Sequence, residues 1–194
     1  MGRQAAWLII VTGLPAAGKS CVAEALVAAL GCPLLAKDAL KEPLLDQFPE
    51  ADAATSRALS DASFALLFAL APALLAQGTG LVLEGNFRPG EHEAPLHGLT
   101  LGVGRVVQLL CRVDEPLRRE RLAARAADPG RHPGHRDARQ ASGAVDTRAD
   151  AFLDLPGERW EMRGDASAAE WAGMITRLLA ILPAWQRPPS ILKH

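Results

Sequence analysis

Hydrophobic and polar positions alternate in blocks along the chain, and these blocks predict alternating strands and helices. Short apolar, β-branched runs are typical of buried parallel strands, and they occupy 6–11, 32–36, 81–84 and 105–113. A mixed run at 158–163 is a fifth candidate strand. Strands that alternate with helices predict an α/β fold of three layers, with a parallel five-stranded sheet and helices on both faces.

The predicted helices are rich in Ala and Leu and differ in length. They cover 20–30, 39–48, 53–77, 115–127 and 167–182. Gly31 is placed to end the first helix, Pro72 is expected to kink or divide the third, and Asp114 is suited to cap the fourth. The chain length suits a single domain, which we place at 1–183, followed by a tail at 184–194.

Composition and charge narrow the set of partners. A net charge of −1, with 5% aromatic residues and no tyrosine, leaves neither a basic field nor a stacking surface for extended nucleic acid. The longest apolar region, 64–76, is too short to span a bilayer. Cys21, Cys32 and Cys111 lack metal-type spacing, and Cys21 and Cys111 fall in expected core elements. We therefore expect a protein of the reducing cytoplasm without membrane contact, as a monomer or a homodimer.

The sharpest motif follows the first strand. Residues 13–20 read G-L-P-A-A-G-K-S, the G-x-x-x-x-G-K-S pattern of a phosphate-binding loop between a strand and a helix. Its glycines allow backbone amides to converge on phosphate oxygens, and the helix N-terminus adds its positive dipole end. Lys19 is expected to reach the β- and γ-phosphates, and Ser20 to ligate Mg²⁺. The predicted nucleotide contacts are Gly13, Leu14, Pro15, Ala16, Ala17, Gly18, Lys19, Ser20 and Cys21.

Together these features resemble the small-molecule kinases of the P-loop superfamily, and most closely the chloramphenicol phosphotransferase-like enzymes and related bacterial predicted ATP-dependent kinases. The resemblance spans roughly residues 7–182. It implies a phosphotransferase that uses ATP and Mg²⁺ to phosphorylate a hydroxyl of a small molecule, an antibiotic or nucleoside-like compound in a resistance-type enzyme. The sequence has no guanine-specific N-K-x-D motif, and the choice between ATP and GTP stays open.

The resemblance also assigns residues to the acceptor. Kinases of this superfamily carry an acidic residue directly after the second strand that faces the acceptor hydroxyl, and Asp38 stands there. A carboxylate can orient the hydroxyl and take its proton. The alternative is that Asp38 caps the following helix. Polynucleotide 5′-kinases carry a phosphate-binding arginine about where this chain has Lys41, so Lys41 is either a substrate ligand or a solvated helix residue.

The end of the third strand and the loop after it form another candidate region. Glu84 stands where many P-loop proteins have an aspartate that holds Mg²⁺ through water. It is therefore a candidate for the metal or, as a second carboxylate, for acceptor hydroxyls, and a structural role is the alternative. Asn86 and Arg88 follow in the loop and are candidates for acceptor contacts.

Kinases of this class close an arginine-bearing lid over the phosphates after the fourth strand, which corresponds here to about 127–143. The arginines that follow the fourth strand lie on the helix 115–127 and in the segment after it. They are Arg118, Arg119, Arg121, Arg125, Arg131, Arg136 and Arg139. Arg121 and Arg125 share a helix face at i, i+4, and we expect both to stabilise the transferring phosphoryl group. Arg131 is a candidate substrate contact, and a solvated basic helix is the alternative for the whole set. His132 and His135 lack a third metal ligand and form either a substrate contact or part of a rigid Pro-Gly turn.

Three functions stay distinct at this level. The favoured one is a small-molecule kinase, whose acceptor pocket would be lined by the apolar face of 53–77 unless that face is core. A polynucleotide or nucleotide 5′-kinase is disfavoured by the missing basic groove. A regulatory NTPase switch acting on a protein partner would hydrolyse its nucleotide without an acceptor, which leaves Asp38 without a role.

Overall fold

In the computed structural model, which describes residues 6–130, 132–135 and 147–182, five strands form one sheet. The strands are β1 (Trp7–Gly13), β2 (Leu34–Ala36), β3 (Leu81–Glu84), β4 (Arg105–Arg112) and β5 (Glu158–Arg163). All neighbours pair in parallel, in the order β2-β3-β1-β4-β5. The prediction of a parallel five-stranded α/β sheet is therefore confirmed.

Six helices surround the sheet in the described part of the chain. They are α1 (Lys19–Leu30), α2 (Lys37–Asp46), α3 (Ala53–Leu75), α4 (Glu93–Thr100), α5 (Glu115–Ala127) and α6 (Ala168–Ile181). Gly31 ends α1 at a φ of 66°, as predicted. Pro72 lies inside an undivided α3, so it does not divide the helix. Asp114 occupies the N-cap position of α5, as predicted, but its side chain makes no capping hydrogen bond.

The two faces of the sheet carry separate hydrophobic clusters. Alternate side chains of β1 point to opposite faces, with Ile9 in one cluster and Ile10 in the other, and all seven β1 residues are buried. The first cluster includes Leu26 of α1 and Leu178 of α6, and the second includes Leu67 of α3. Burial on both faces explains why β1 reads as a continuous apolar run rather than an alternating one.

Helix α3 is 23 residues long, and its length and composition would allow it to cross a membrane. The apolar region 64–76 considered in the sequence analysis is only part of this helix, so the conclusion that it is too short does not hold for the whole helix. Its Phe64 and Leu67 nevertheless pack into the core against the sheet. A single helix with this composition is also typical of the core of an α/β domain, and we infer no membrane contact from it. Leu66 and Leu70 on its outer side are exposed.

The cysteines divide between core and surface. Cys32 and Cys111 are buried, and burial raises the pKa of the Cys32 thiol to about 11 and that of Cys111 to about 12. Both thiols are therefore protonated and unreactive at neutral pH. Cys21 is exposed in the first turn of α1, so its predicted place in the core is wrong.

Candidate active site

The carboxyl ends of β1, β2 and β3 meet at one edge of the sheet. Val11 pairs with Glu84, and Ala36 pairs with the same glutamate from the other side. The phosphate-binding loop leaves β1 at this edge and α2 leaves β2 there. Strand β1 also separates β3 from β4, so the strand order reverses here, which is the place where open α/β sheets bind their ligands.

The conformation of the phosphate-binding loop depends on residues with positive φ. Gly18 has a φ of 93°, and a Cβ there would lie 2.9 Å from the backbone of Gly164. Ala16 also has a positive φ, 64°, which an L-residue with a side chain adopts only at a cost. The Lys19 ammonium donates to the Leu14 carbonyl at 2.9 Å, so its side chain folds back over the loop. Helix α1 begins at Lys19 and directs its first amides toward the loop.

A single cleft, which we call the central cleft, opens above this loop. It collects a large part of the predicted site: Ala16, Gly18, Lys19, Ser20, Asp38, Lys41, Glu84, Asn86, Arg88 and Arg125. Leu14 and Ala17 face a different cavity, beside Cys111 and Arg118. Arg131 lies outside the described residues. The residues that approach from α2, β3 and α5 are far apart in sequence, so the fold itself brings them to the loop.

Asp38 lies in the first turn of α2 and is half-buried in the central cleft. Its Oδ1 accepts a hydrogen bond from the Lys37 ammonium at 2.9 Å, and its Oδ2 lies 3.9 Å from Nδ1 of His135. Burial alone would raise the pKa of Asp38, but the charges of Lys37, His135 and Lys19 and the Lys37 hydrogen bond lower it to about 2. The side chain is therefore a carboxylate at neutral pH. The capping alternative is wrong, because Ala36 occupies the N-cap position of α2.

Glu84 and Lys19 form the second charged pair of the central cleft. Glu84 is buried at the end of β3, and burial raises its pKa against the opposing effect of Lys19. Burial likewise lowers the pKa of Lys19, while Glu84 and Asp38 act to raise it. Each group thus partly offsets the effect that burial has on the pKa of the other.

The side chains around the loop fit a magnesium ion that arrives with a nucleotide. Ser20 and Glu84 line the same cleft and supply hydroxyl and carboxylate oxygens, the ligand type that Mg²⁺ prefers. Within the described ranges no group of three or more His, Cys, Asp or Glu side chains could hold a metal alone. Mg²⁺ commonly uses one or two protein oxygens together with phosphates and water, so a larger cage is not required.

The four arginines of α5 have different surroundings. Arg118 is buried and donates to both carboxylate oxygens of Glu115, at 2.6 and 2.8 Å. Arg119 is exposed and pairs with the same glutamate. Arg121 donates to the carbonyl of Gly164 at 3.2 and 3.3 Å, at the end of β5. Of the four, Arg125 alone reaches the central cleft. Arg136 and Arg139 lie outside the described residues.

The short segment 132–135 docks on α2 and α3. His135 is buried, and its Nε2 lies 2.6 Å from Oε1 of Glu42; His132 Nε2 lies 3.1 Å from Oδ1 of Asp46. Ser56 of α3 donates to the carbonyl of Gly134 at 3.3 Å. Pro133–His135 form a 3₁₀ turn, and His135 also lines the central cleft. The two options given for this segment, a turn and a residue that faces the cleft, are therefore compatible.

Lys41 lies one turn beyond Asp38 on α2 and is also buried, with 6% of its surface exposed. Its ammonium donates to Oγ of Ser56 at 3.1 Å. The prediction of a solvated lysine is therefore wrong, because α3 and the segment 132–135 cover this side of α2. Its place in the central cleft agrees with the other option, a residue that faces substrate.

A family model described as an AAA domain matches residues 8–147. The chain belongs to this AAA domain family. Among solved structures, it is similar to a candidate kinase from Chloroflexus aurantiacus J-10-fl, with 29% identity and a TM-score of 0.79 over 93% of this chain and 100% of that one. No curated protein matches the chain.

Two more distant structures share the fold of this AAA domain. The APS kinase of Mycobacterium tuberculosis, solved with AMPPNP and APS, has 20% identity and a TM-score of 0.58 over 93% of this chain and 99% of that one. Kti12 of Chaetomium thermophilum, solved with ADP-AlF3, has 17% identity and a TM-score of 0.58 over 89% and 97%. The fold of this AAA domain is thus that of the P-loop kinases.

The loop after β3 in this AAA domain is held by a residue that the sequence analysis missed. His92 is buried, its Nδ1 accepts from the backbone N–H of Arg88 at 2.9 Å, and its ring centroid lies 4.1 Å from that of Phe64. Burial lowers the pKa of His92. The neutral ring therefore fixes the loop that presents Asn86 and Arg88. A lone histidine before an unpredicted helix carries no sequence signal for this role.

Proposed function

We propose that this AAA domain is a Mg²⁺·ATP-dependent phosphotransferase that moves the γ-phosphoryl group of ATP to a hydroxyl of a small molecule. One observation carries the proposal: the phosphate-binding Lys19 and the ionised Asp38 line one cleft at the ligand-binding edge of the sheet. A carboxylate in this place can orient an attacking hydroxyl group. In an enzyme that only hydrolyses the nucleotide it would orient water instead, and the product search described below distinguishes the two reactions.

The reaction divides the central cleft into two parts. The amides of the loop and Lys19 hold the phosphates, and Ser20 and Glu84 are the residues that would hold Mg²⁺, whose charge offsets that of the phosphates. The acceptor hydroxyl donates a hydrogen bond to Asp38. The bond from its oxygen to the γ-phosphorus forms as the bond to the bridging oxygen of ADP breaks, and the hydroxyl proton passes to Asp38. Because the pKa of Asp38 is about 2, its main contribution is to orient the hydroxyl, and it takes the proton late in a loose transition state.

The arginines of α5 serve the nucleotide. Arg125 reaches the central cleft, where a guanidinium can offset charge on the transferring phosphoryl group. Arg121 lies against Gly164, which closely approaches the loop at Gly18 and Ala17, so we assign Arg121 to the nucleotide side rather than to the acceptor. Arg131 stays a proposed substrate contact.

We also propose that the catalytic domain extends over 1–183 with a lid at about 127–143. The protein would act in the cytoplasm as a monomer or homodimer. A bulky apolar antibiotic loses its support as acceptor, because the apolar residues Phe64 and Leu67 of α3 pack in the core and only Ser60 of that helix lines the central cleft. The kinship with chloramphenicol phosphotransferase-like enzymes rests on the sequence resemblance alone.

The test is a search for a phosphorylated product. The purified chain is incubated with Mg²⁺·ATP and hydroxy acids, sugars, nucleosides, hydroxylated antibiotics or 5′-hydroxyl oligonucleotides, and ADP release is followed together with a mass gain of about 80 Da. A product that requires both Mg²⁺ and an acceptor supports the proposal. ADP release that is equal with and without acceptors, and yields no product, contradicts it and favours the NTPase switch.

A further inference from the structure

A second space adjoins the central cleft on the side away from the phosphate-binding loop. We call it the side chamber, and its polar lining includes Lys41, Arg57, Ser60, Arg88, His135 and Arg148. Four of these residues, Lys41, Ser60, Arg88 and His135, also line the central cleft. The two spaces are therefore continuous, and a molecule whose hydroxyl lies at Asp38 would extend into the side chamber.

Cations outnumber carboxylates among the described residues that line the side chamber. Among its described lining residues, four are cationic, namely Lys41, Arg57, Arg88 and Arg148, against the two carboxylates Asp61 and Glu91. Glu91 accepts from Arg88 at 2.5 Å and lies 3.2 Å from Nη1 of Arg148, so one carboxylate is shared between two guanidinium groups. The shared carboxylate holds the two guanidinium groups near each other, and both line the chamber.

The helices that form the side chamber present polar side chains to it. The N-terminal half of α3 contributes Ser56, Arg57, Ser60 and Asp61, whereas Phe64, one turn later, packs in the core. From α2 comes the ammonium of Lys41, which is held by Ser56. Lys41 follows Asp38 by three residues, an axial distance of about 4.5 Å along a helix. A compact molecule can therefore reach both Asp38 and the cations of the chamber.

We propose that the acceptor carries an anionic group, a carboxylate or a phosphate, which the side chamber binds while the acceptor hydroxyl lies at Asp38. This substrate class rests on the proposed phosphotransferase function for the hydroxyl, but the anion site itself rests on the chamber. Arginine is suited to the task because its planar fork matches carboxylate and phosphate oxygens with paired hydrogen bonds. Recognition of the anion also orders the hydroxyl relative to the phosphates before transfer.

The test measures binding rather than transfer. The chain is saturated with Mg²⁺ and a non-hydrolysable ATP analogue, so that the phosphate-binding loop is filled, and is titrated calorimetrically with matched pairs: glycerate and glycerol, gluconate and sorbitol, ribose 5-phosphate and ribose. We expect the anionic member of at least one pair to bind about tenfold more tightly than its neutral partner. The carboxylate pairs and the phosphate pair distinguish the two sources of the anion.

Two variants locate the binding. Arg57→Gln and Arg148→Gln are each expected to weaken binding of the anion about fivefold or more, whereas Arg105→Gln, an exposed arginine at the opposite end of β4, leaves it unchanged. Melting temperatures confirm that the variants fold. Equal binding of charged and neutral partners, or binding that neither variant changes, overturns the inference even if a kinase activity is found. Anion binding without any transfer in the product search overturns the proposed function and leaves the anion site standing.

Discussion

The two halves of the central cleft are built in different ways. The phosphate half is one run of eight residues, 13–20, whose shape comes from the backbone, with positive φ angles at Gly13, Ala16 and Gly18. The acceptor half comes from side chains on α2, α3, the loop after β3 and the segment 132–135. Under the proposed function, local backbone geometry would bind the nucleotide, a ligand common to many proteins, and side chains that the tertiary structure assembles would bind the acceptor particular to this one.

The halves also differ in how their charges are balanced. In the phosphate half, the Lys19 ammonium donates to the carbonyl of Leu14, and the carboxylates that act on its pKa are those of Glu84 and Asp38. In the acceptor half, a carboxylate and a cation pair directly, as in Asp38 with Lys37. Substitutions in the phosphate half should therefore affect every reaction that uses the nucleotide. Substitutions in the acceptor half should affect the binding and phosphorylation of the acceptor.

Lys19→Ala is the change with the largest expected effect. Loss of the one cation that faces the phosphates from the loop should lower acceptor-dependent ADP release by about 10³-fold and weaken ATP binding as well. Steady-state kinetics and calorimetry with ATP measure the two effects, and an unchanged melting temperature shows that the fold is intact. Normal ATP affinity and rate in this variant would mean that the phosphates bind elsewhere.

Arg125→Ala tests whether α5 serves the transition state. We expect kcat to fall about 10²-fold while the Kd for ATP changes little, because the charge that Arg125 offsets develops during transfer. Arg119→Ala on the same helix is the matched control, since Arg119 is exposed and pairs with Glu115 on the surface. Equal losses in the two variants would indicate that the helix, rather than the guanidinium in the cleft, is affected.

The stability of the chain should depend on pH through His92, which holds the loop that presents Asn86 and Arg88 to the acceptor half. Burial lowers its pKa below the ordinary 6.5, so the unfolded chain binds a proton more readily and stability falls as the pH drops through 6.5. We expect the midpoint of thermal unfolding to fall more steeply between pH 8 and pH 5 in the wild type than in His92→Gln. His97→Gln, which removes an exposed histidine of α4, should keep the wild-type slope. Parallel slopes in all three chains would refute this role.

The smallest expected effect is that of Ala16→Gly. Glycine adopts the φ of 64° at this position without strain, but it also gives the unfolded chain more freedom. These opposing effects of about 1 kcal/mol each should nearly cancel. Stability and ATP affinity are therefore expected to stay close to wild type in denaturant titrations and calorimetry. A large loss of ATP affinity would show that the side chain of Ala16, and not only the backbone, shapes the phosphate half.

The same division explains what the sequence could and could not reveal. The G-x-x-x-x-G-K-S pattern is local, so the phosphate half and the β1–α1 unit were predictable from adjacent residues. Helix α4 was missed because Pro95 and Gly98 weaken its helical signal. The burial of Lys41 and of Arg118 depends on distant segments that cover them, and no spacing along the chain records such contacts.

The most direct test of the role proposed for Asp38 is the variant Asp38→Asn. Its ATP affinity and its acceptor-dependent transfer are measured beside those of the wild type. The substitution keeps the size of the side chain and removes the charge that lies across the cleft from the phosphates. We expect a Kd for ATP within about twofold of wild type and a rate of transfer lower by about 10²-fold. Transfer at the wild-type rate would contradict the proposal that Asp38 orients the acceptor hydroxyl and takes its proton.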